Sequence, residues 1–192
     1  MLFCSNEKIH LSKGCILKPQ NKLMAFKVYN SDDREVLSFR RKVLAQWKLK
    51  MFYLLRLPSL AWWGVRVEEL EDHFCVVSIP HNYRTKNPFG SIYFGALAGA
   101  AELPTGMLCL QAIVGRGDVS MLVTGMQCRF EKKAKGRIRF QCKQGKEIIS
   151  TIDAVLQTDT GHELSVTSTG VNEQGEIVAL FEFKWSFKRR TR

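Results

Sequence analysis

The segment that most constrains the fold is residues 87–115, a stretch of 29 residues in which Glu102 is the only charged side chain. Its apolar character suits either a membrane-spanning helix or a helix buried in a protein core. Pro88, Pro104 and five glycines interrupt it, and a carboxylate near the middle of a bilayer is costly. The sequence therefore predicts a central helix over residues 91–114 that is buried inside a globular protein.

Alternating apolar patterns on both sides of this segment predict β-strands. The predicted strands cover residues 65–70, 74–79, 119–130, 136–142, 164–171 and 177–187. A short helix is expected at residues 147–156, and the turn at residues 172–175 joins the last two strands as a hairpin. About five antiparallel strands cannot leave so apolar a helix in water. We therefore expect an α+β protein in which a curved sheet wraps around the long central helix.

Helical periodicity also marks the N-terminal third of the chain. Apolar residues recur there at steps of three and four, with lysines and arginines between them. These apolar residues are Val36, Phe39, Val43, Leu44, Trp47, Met51 and Leu54. The pattern predicts an amphipathic lead helix over residues 34–57, which Pro58 ends. Residues 1–31 show no period and are interpreted as an N-terminal extension, so the folded domain is expected to cover residues 32–192.

Composition excludes several classes of protein. With 45% apolar and 24% charged residues, the chain is neither fibrous nor disordered. Its six cysteines form no CxxC pair and its four histidines stand far apart, so we expect no metal or organic cofactor and a reduced, cytoplasmic setting. The net charge of +11 lies mostly in residues 1–60, where Lys and Arg exceed Asp and Glu by eight. Such a surplus attracts phosphates or anionic surfaces, or forms a solvated face.

Several motifs resemble a known protein family. The run RTKNPFGSIYFGAL at residues 84–97, with AELPTG at residues 101–106, resembles the helix-start motif of a bacterial hotdog-fold family. LPSLA at residues 57–61 and EFKW at residues 182–185 are similar to the same family. This family is thioesterase-like, largely uncharacterised and related to the phenylacetate-type acyl-CoA thioesterases. The resemblance covers about residues 34–188 and implies a hotdog fold, an acyl-CoA ligand, and a homodimer or dimer of dimers.

The central segment carries two features that thioester hydrolysis needs. The turn Phe89-Gly90-Ser91 is expected to bring unpaired backbone N–H groups to the start of the helix, where they would stabilise negative charge on a carbonyl oxygen. Gly90 leaves room for the thioester. Glu102 is a carboxylate in apolar surroundings, which raise its pKa toward that of a general base. We therefore predict Glu102 as catalytic and the three turn residues as substrate-binding.

The resemblance implies the same roles for this segment. Related hotdog thioesterases usually begin the helix with His-Gly-Gly and carry Asp or Glu about two turns later. Here the histidine is absent, and two registers are open: Gly90 lies twelve positions before Glu102, and Gly95 lies seven before it. Gly95 is accordingly a further substrate-binding candidate. Asn87 is a second catalytic candidate, which would orient water or substrate.

Each candidate also has a structural alternative. Glu102 would equally serve to satisfy a lysine, an arginine or free backbone groups near Pro104. Asn87 precedes a proline, as turn residues often do, and His81 is an alternative base in the loop before the helix. A basic cluster around one strand turn would hold coenzyme A phosphates or form a solvated hairpin; it comprises Arg129, Lys132, Lys133, Lys135, Arg137 and Arg139.

Three functions remain open from the sequence. The first is an acyl-CoA thioesterase with its site at a dimer interface, and the second is a module that binds acyl-CoA without turnover. The third is attachment to an anionic membrane surface through residues 34–57, with Trp47, Phe52 and Tyr53 among the cations. The membrane function is the least favoured, and no recognition motif supports binding to nucleic acid.

Overall fold

The chain forms six strands and five helices within residues 26–158 and 160–190, which the computed structural model describes. In chain order they are α1 (Arg34–Leu44), α2 (Gln46–Arg56), α3 (Pro58–Trp63), β1 (Arg66–Leu70), β2 (Cys75–Ile79), α4 (Phe94–Ile113), β3 (Val119–Phe130), β4 (Ile138–Cys142), α5 (Gly145–Thr158), β5 (His162–Val171) and β6 (Ile177–Arg189).

The strands form one antiparallel sheet in the order β1-β2-β4-β5-β6-β3. All six predicted strand segments are present, one more than the sheet of about five strands that was expected, and a tight turn at residues 71–74 joins β1 to β2. The predicted hairpin is confirmed, since β5 pairs with β6 across residues 172–175. The curved sheet lies around α4, which packs against β1, β2, β4, β5 and β6. The expected wrapped-helix architecture is therefore confirmed.

Helix α4 is the core helix of this fold. It is long and apolar enough to span a membrane, yet twelve of its 20 residues are buried against the rest of the protein. It begins at Phe94, three residues later than predicted. The reason is that the backbone N–H groups of Ile92 and Tyr93 bond to Ala134 and Thr85 instead of following a helical path. The central helix thus covers 94–113 rather than 91–114.

The predicted lead helix is two helices with a break at Ala45, whose backbone is extended. Helix α1 buries Val43, and the next buried residue, Leu49 in α2, follows six positions later. At about 100° per residue these two side chains would lie about 120° apart on a continuous helix, so the break turns Leu49 to the core. Pro58 does not end the helical region but begins α3 at a first-turn position that suits proline.

The packed part of the chain starts before the predicted domain boundary. Of the extension assigned to residues 1–31, residues 1–25 lie outside the described structure, whereas the remainder contacts the body. The Tyr29 hydroxyl donates to Asp72 at 2.6 Å, and Arg116 donates from Nε to the Lys27 carbonyl at 2.8 Å. These bonds attach the N-terminal stretch to the β1–β2 turn and to the end of α4.

Candidate active site

The loop before α4 is organised by the side chain of Asn87. Its amide oxygen accepts hydrogen bonds from the backbone N–H groups of Phe89 at 3.0 Å and Ser91 at 3.2 Å. Its NH₂ group donates to the Ser91 hydroxyl at 3.1 Å. Gly90 sits at the tip of the turn with φ of 76°, a left-handed conformation that favours glycine. Asn87 therefore holds the shape of the loop that leads into the helix.

A cavity of about 590 Å³ opens beside this loop. This volume suits a small-molecule ligand. The lining comes from the loop, the first turn of α4 and the turn after β3: Asn87, Pro88, Phe89, Ser91, Ile92, Tyr93, Phe94, Leu97, Phe130, Glu131, Lys132, Lys133 and Ala134. Three predicted site residues, Asn87, Phe89 and Ser91, thus share one apolar cavity with two lysines at its edge.

The N-terminus of α4 lies at the same cavity and has no side-chain cap. The N–H groups of Ala96 and Leu97 already bond to the Tyr93 carbonyl. Those of Phe94 and Gly95 come first in the helix, where no intrahelical acceptor exists, and they are the donors that developing negative charge would meet. The expectation that Gly90 and Ser91 stand at the helix start is wrong, because the helix begins after both.

The region around Gly95 is closely packed on one side. A Cβ atom at this position would lie 2.6 Å from the Tyr93 ring, which is about half exposed. Glycine thus lets the aromatic ring lie beside the first helical turn. The structure supports the second of the two sequence registers, in which Phe94-Gly95 stands at the helix start.

Glu102 is the only charged side chain on α4 and lies on its exposed face. Its carboxylate makes no hydrogen bond or salt bridge within residues 26–158 and 160–190. Although it reaches solvent in the single chain, the surrounding atoms exclude part of the water, and this desolvation raises the pKa of the carboxyl above its ordinary value. Because Glu102 forms no salt bridge within the described residues, the structural alternative in which it pairs with a lysine or an arginine is not supported.

The Glu102 backbone is fixed by a buried hydrogen-bond chain. Trp185 donates from Nε1 to the Thr105 hydroxyl at 3.1 Å, and that hydroxyl donates to the Glu102 carbonyl at 2.7 Å. Both side chains are buried, Thr105 completely. The chain links the last strand to the turn of α4 next to Pro104, where proline removes one helical hydrogen bond.

Glu102 and the cavity are not brought together within one chain. Eight positions separate Glu102 from Phe94, which is about 12 Å along a helix, and Glu102 is not among the lining residues. His81 does not line the cavity either; its backbone N–H bonds to Gly136. Sequence reasoning missed Phe130 as a lining residue, because it lies far from this loop in sequence and the two regions meet only in the folded chain, where the Ile92 N–H bonds to the Ala134 carbonyl.

Comparison with solved structures identifies the class of fold. A Pseudomonas aeruginosa protein described as a "probable thioesterase" matches with a TM-score of 0.63 and 27% identity, over 78% of this chain and 99% of that chain. A Haemophilus influenzae thioesterase matches with a TM-score of 0.57 and 11% identity, over 79% and 95%. The Escherichia coli PaaI protein of the phenylacetic acid degradation operon matches with a TM-score of 0.54 and 16% identity, over 80% and 96%. The protein thus has the hotdog fold, and its structural neighbours include proteins named thioesterases.

Residues 45–187 match the family described as "Domain of unknown function (DUF4442)", and the chain belongs to that family. A search of curated proteins gives no significant match. The predicted resemblance to a largely uncharacterised hotdog family is confirmed.

Proposed function

We propose that this protein hydrolyses acyl-CoA thioesters at a site that two subunits share. The observation that carries the proposal is the unpaired carboxylate of Glu102, with its raised pKa, on the open face of a helix whose uncapped N-terminus lines the 590 Å³ cavity. These are the two elements the reaction needs, a general base and donors for an oxyanion.

In the proposed reaction the thioester carbonyl oxygen accepts hydrogen bonds from the N–H groups of Phe94 and Gly95. The carboxylate of Glu102 takes a proton from water, and the hydroxide adds to the carbonyl carbon. The C–S bond then breaks, and the protonated Glu102 returns the proton to the leaving thiolate. The products are a carboxylic acid and free coenzyme A, and no cofactor is required.

The loop residues would shape the binding site rather than react. Asn87 holds the turn through its bonds to Phe89 and Ser91, and Gly90 keeps the tip free of a side chain. The apolar lining suits an acyl chain. Lys133 is exposed at the cavity edge and has no salt bridge within the described residues, so it is available to the nucleotide phosphates.

Assembly is part of the proposal, because Glu102 is about 12 Å from the helix start of its own chain. Strand β3 is a 12-residue edge strand, and unpaired edges of this length invite pairing with another strand. Leu122, Met126 and Phe130 are exposed along it. Pairing with β3 of a second copy would cover them and bring two α4 helices together, as expected for a homodimer.

The direct test follows thiol release from a series of acyl-CoA chain lengths. Glu102→Gln should abolish turnover while leaving the fold intact. The matched control is Glu182→Gln, the same change at an exposed glutamate on the sheet, which should not alter turnover. Because the pKa of Glu102 is raised, the acidic limb of the rate profile should lie above the ordinary glutamate range. Turnover that survives Glu102→Gln would refute the assigned base.

A mixing experiment tests the shared site. Gly95→Leu places a bulky side chain at the helix start, and Glu102→Gln removes the base, so each homodimer should be inactive. If each site combines the helix start of one subunit with Glu102 of the other, a refolded equal mixture should regain about a quarter of wild-type activity, since about half the dimers are mixed and each has one intact site. No recovery would refute the shared site.

Binding without turnover is the second candidate function. The observation in its favour is that no histidine is among the residues that line the cavity. An acyl-CoA that raises the melting temperature but releases no thiol would support it.

A further inference from the structure

We propose that the outer face of α2 docks the protein onto anionic phospholipid membranes. This face, called here the α2 apolar face, consists of Trp47, Met51, Leu54 and Leu55. The proposal is independent of thioester hydrolysis, because none of these residues lines the cavity beside the α4 N-terminus.

The α2 apolar face points away from the core. Helix α2 buries only Leu49 and Tyr53, four positions apart on one stripe. At about 100° per residue, the four residues of the apolar face share an arc about 100° wide on the opposite side of the helix. Trp47 is 69% exposed and Leu55 is 77% exposed. A helix of a soluble protein normally presents polar residues on its outer side, and an apolar outer face marks an interaction surface.

Charge identifies the chemistry of the partner. Residues 36–67 contain seven Lys and Arg and no Asp or Glu, and of these seven Arg40 is paired with Asp72 and Glu71. Lys50 and Lys48 flank the apolar arc on either side, and neither makes a salt bridge within residues 26–158 and 160–190. An outward tryptophan among aliphatic side chains, bordered by lysines, is the composition of helices that lie in the interface of anionic bilayers.

A neighbouring cavity has the same combination of groups. It measures about 360 Å³ and lies between α1, α2 and α4. Phe39, Phe52 and Leu110 are among its apolar lining residues, and Lys42 and Lys48 stand at its walls. An acyl chain with an anionic headgroup would satisfy both kinds of contact.

A second copy of the chain fits this surface less well. Closed two-fold contacts place a patch against itself, so the unpaired lysines would face lysines with no acid in residues 36–67 to compensate. An anionic lipid surface compensates all of them at once. It also accepts the tryptophan at the level of the headgroups.

The test measures co-sedimentation of the full chain with phosphatidylcholine vesicles, with and without phosphatidylglycerol. Binding should require phosphatidylglycerol and weaken at high salt. The pair Lys48→Glu and Lys50→Glu should lower the partition coefficient at least about tenfold. The pair Lys143→Glu and Lys146→Glu makes the same charge change at exposed lysines elsewhere and should lower it far less.

The apolar contribution is tested with Trp47→Ser and Leu55→Ser together, which should abolish binding while leaving the far-UV circular dichroism spectrum and the cooperative thermal unfolding of the protein intact. Three results would overturn the proposal: no binding to phosphatidylglycerol vesicles at low salt, equal losses in the two charge-reversal pairs, or a change of oligomeric state in the serine variant. Binding of single-stranded oligonucleotides that the same variants abolish, with no vesicle binding, would assign the surface to nucleic acid instead.

Discussion

Replacing Thr105 with valine removes one hydroxyl from the core and almost nothing else. The two side chains have nearly the same shape, and Thr105 is fully buried, so the substitution leaves the surrounding packing in place. It deletes the acceptor of the Trp185 Nε1–H bond at 3.1 Å and the donor to the Glu102 carbonyl at 2.7 Å. The carbonyl keeps the helical partner that follows it, whereas the buried indole N–H has no replacement.

The magnitude follows from that unpaired donor. A buried polar group left without a partner costs about 1–3 kcal/mol, so we expect the free energy of unfolding to fall by about 2 kcal/mol. For a chain of this length the melting temperature should fall by about 4–8 °C. Urea unfolding followed by circular dichroism should give an unchanged m-value and a lower midpoint, at a fixed protein concentration.

A double-mutant cycle isolates the bond itself. In a Trp185→Phe background the indole N–H is absent, so Thr105→Val should cost about 1 kcal/mol less than it does in the wild type. Strictly additive effects would mean that the hydrogen bond does not stabilise the fold. A Thr105→Val variant as stable as the wild type would likewise refute the reasoning.

Three further predictions test other parts of the structure. Between the ordinary glutamate pKa and the raised pKa of Glu102, the folded protein binds more protons than the unfolded one, so this group destabilises the fold as pH rises. Glu102→Gln should therefore be more stable than wild type at pH 7 in thermal melts, and equal below about pH 4, where both are neutral. Gly145→Ala should lower the free energy of unfolding by about 1–3 kcal/mol or more, because the added Cβ would overlap the backbone of the β1–β2 turn. Gly106→Ala is the control and should not lower it, because its Cβ would make only ordinary contact with Trp185 at 3.7 Å. Asp153→Ala should lower the free energy of unfolding by about 3 kcal/mol, because it leaves the buried Arg116 guanidinium without its carboxylate partner. If Asp153→Ala lowered the free energy of unfolding equally in an Arg116→Met background, the ion pair would not be the cause.

Local patterns were sufficient to predict the elements that form the core. Strand β3 has the predicted bounds of 119–130, because a strand-like pattern that extends over twelve residues is a long signal. The segment around Glu102 was correctly assigned to the protein core because its prolines, glycines and single carboxylate argue against a bilayer. Such patterns depend only on residues that are close in sequence, so the sequence alone is enough to detect them.

The break at Ala45 could not be predicted, because it depends on packing between elements. Trp47, Met51 and Leu54 continue the apolar period of α1 and looked like its buried stripe. The break rotates α2 so that they face outward, and Tyr53, which the sequence grouped with the membrane-facing aromatics, is 1% exposed in the core. Periodicity shows that apolar residues share one face of a helix, but it does not show whether the rest of the protein packs against that face.

The helix start was misplaced for a related reason. From sequence, Gly90 and Ser91 are a natural turn into a helix, but the next N–H groups bond to Thr85 and Ala134. The second of these acceptors, Ala134, lies some forty residues away, beyond β3, so this bond depends on tertiary packing that a local pattern does not show. Moving the start to Phe94 brings Glu102 to about two turns along α4, which is the spacing that the resemblance implies.

Two exposed apolar surfaces, the α4–β3 side and the α2 apolar face, differ in charge, and the difference indicates a different partner for each. The open side of α4 carries one carboxylate, Glu102, and the edge strand β3 carries Leu122 and Met126 with one exposed cation, Arg129, so two copies can approach without concentrating charge of one sign. The α2 apolar face is bordered by Lys48 and Lys50, which a second copy would oppose. A neutral surface with an unpaired strand edge therefore suits self-association, and a cationic one suits an anionic bilayer. The substitutions at Glu102 and at Lys48 test these assignments independently.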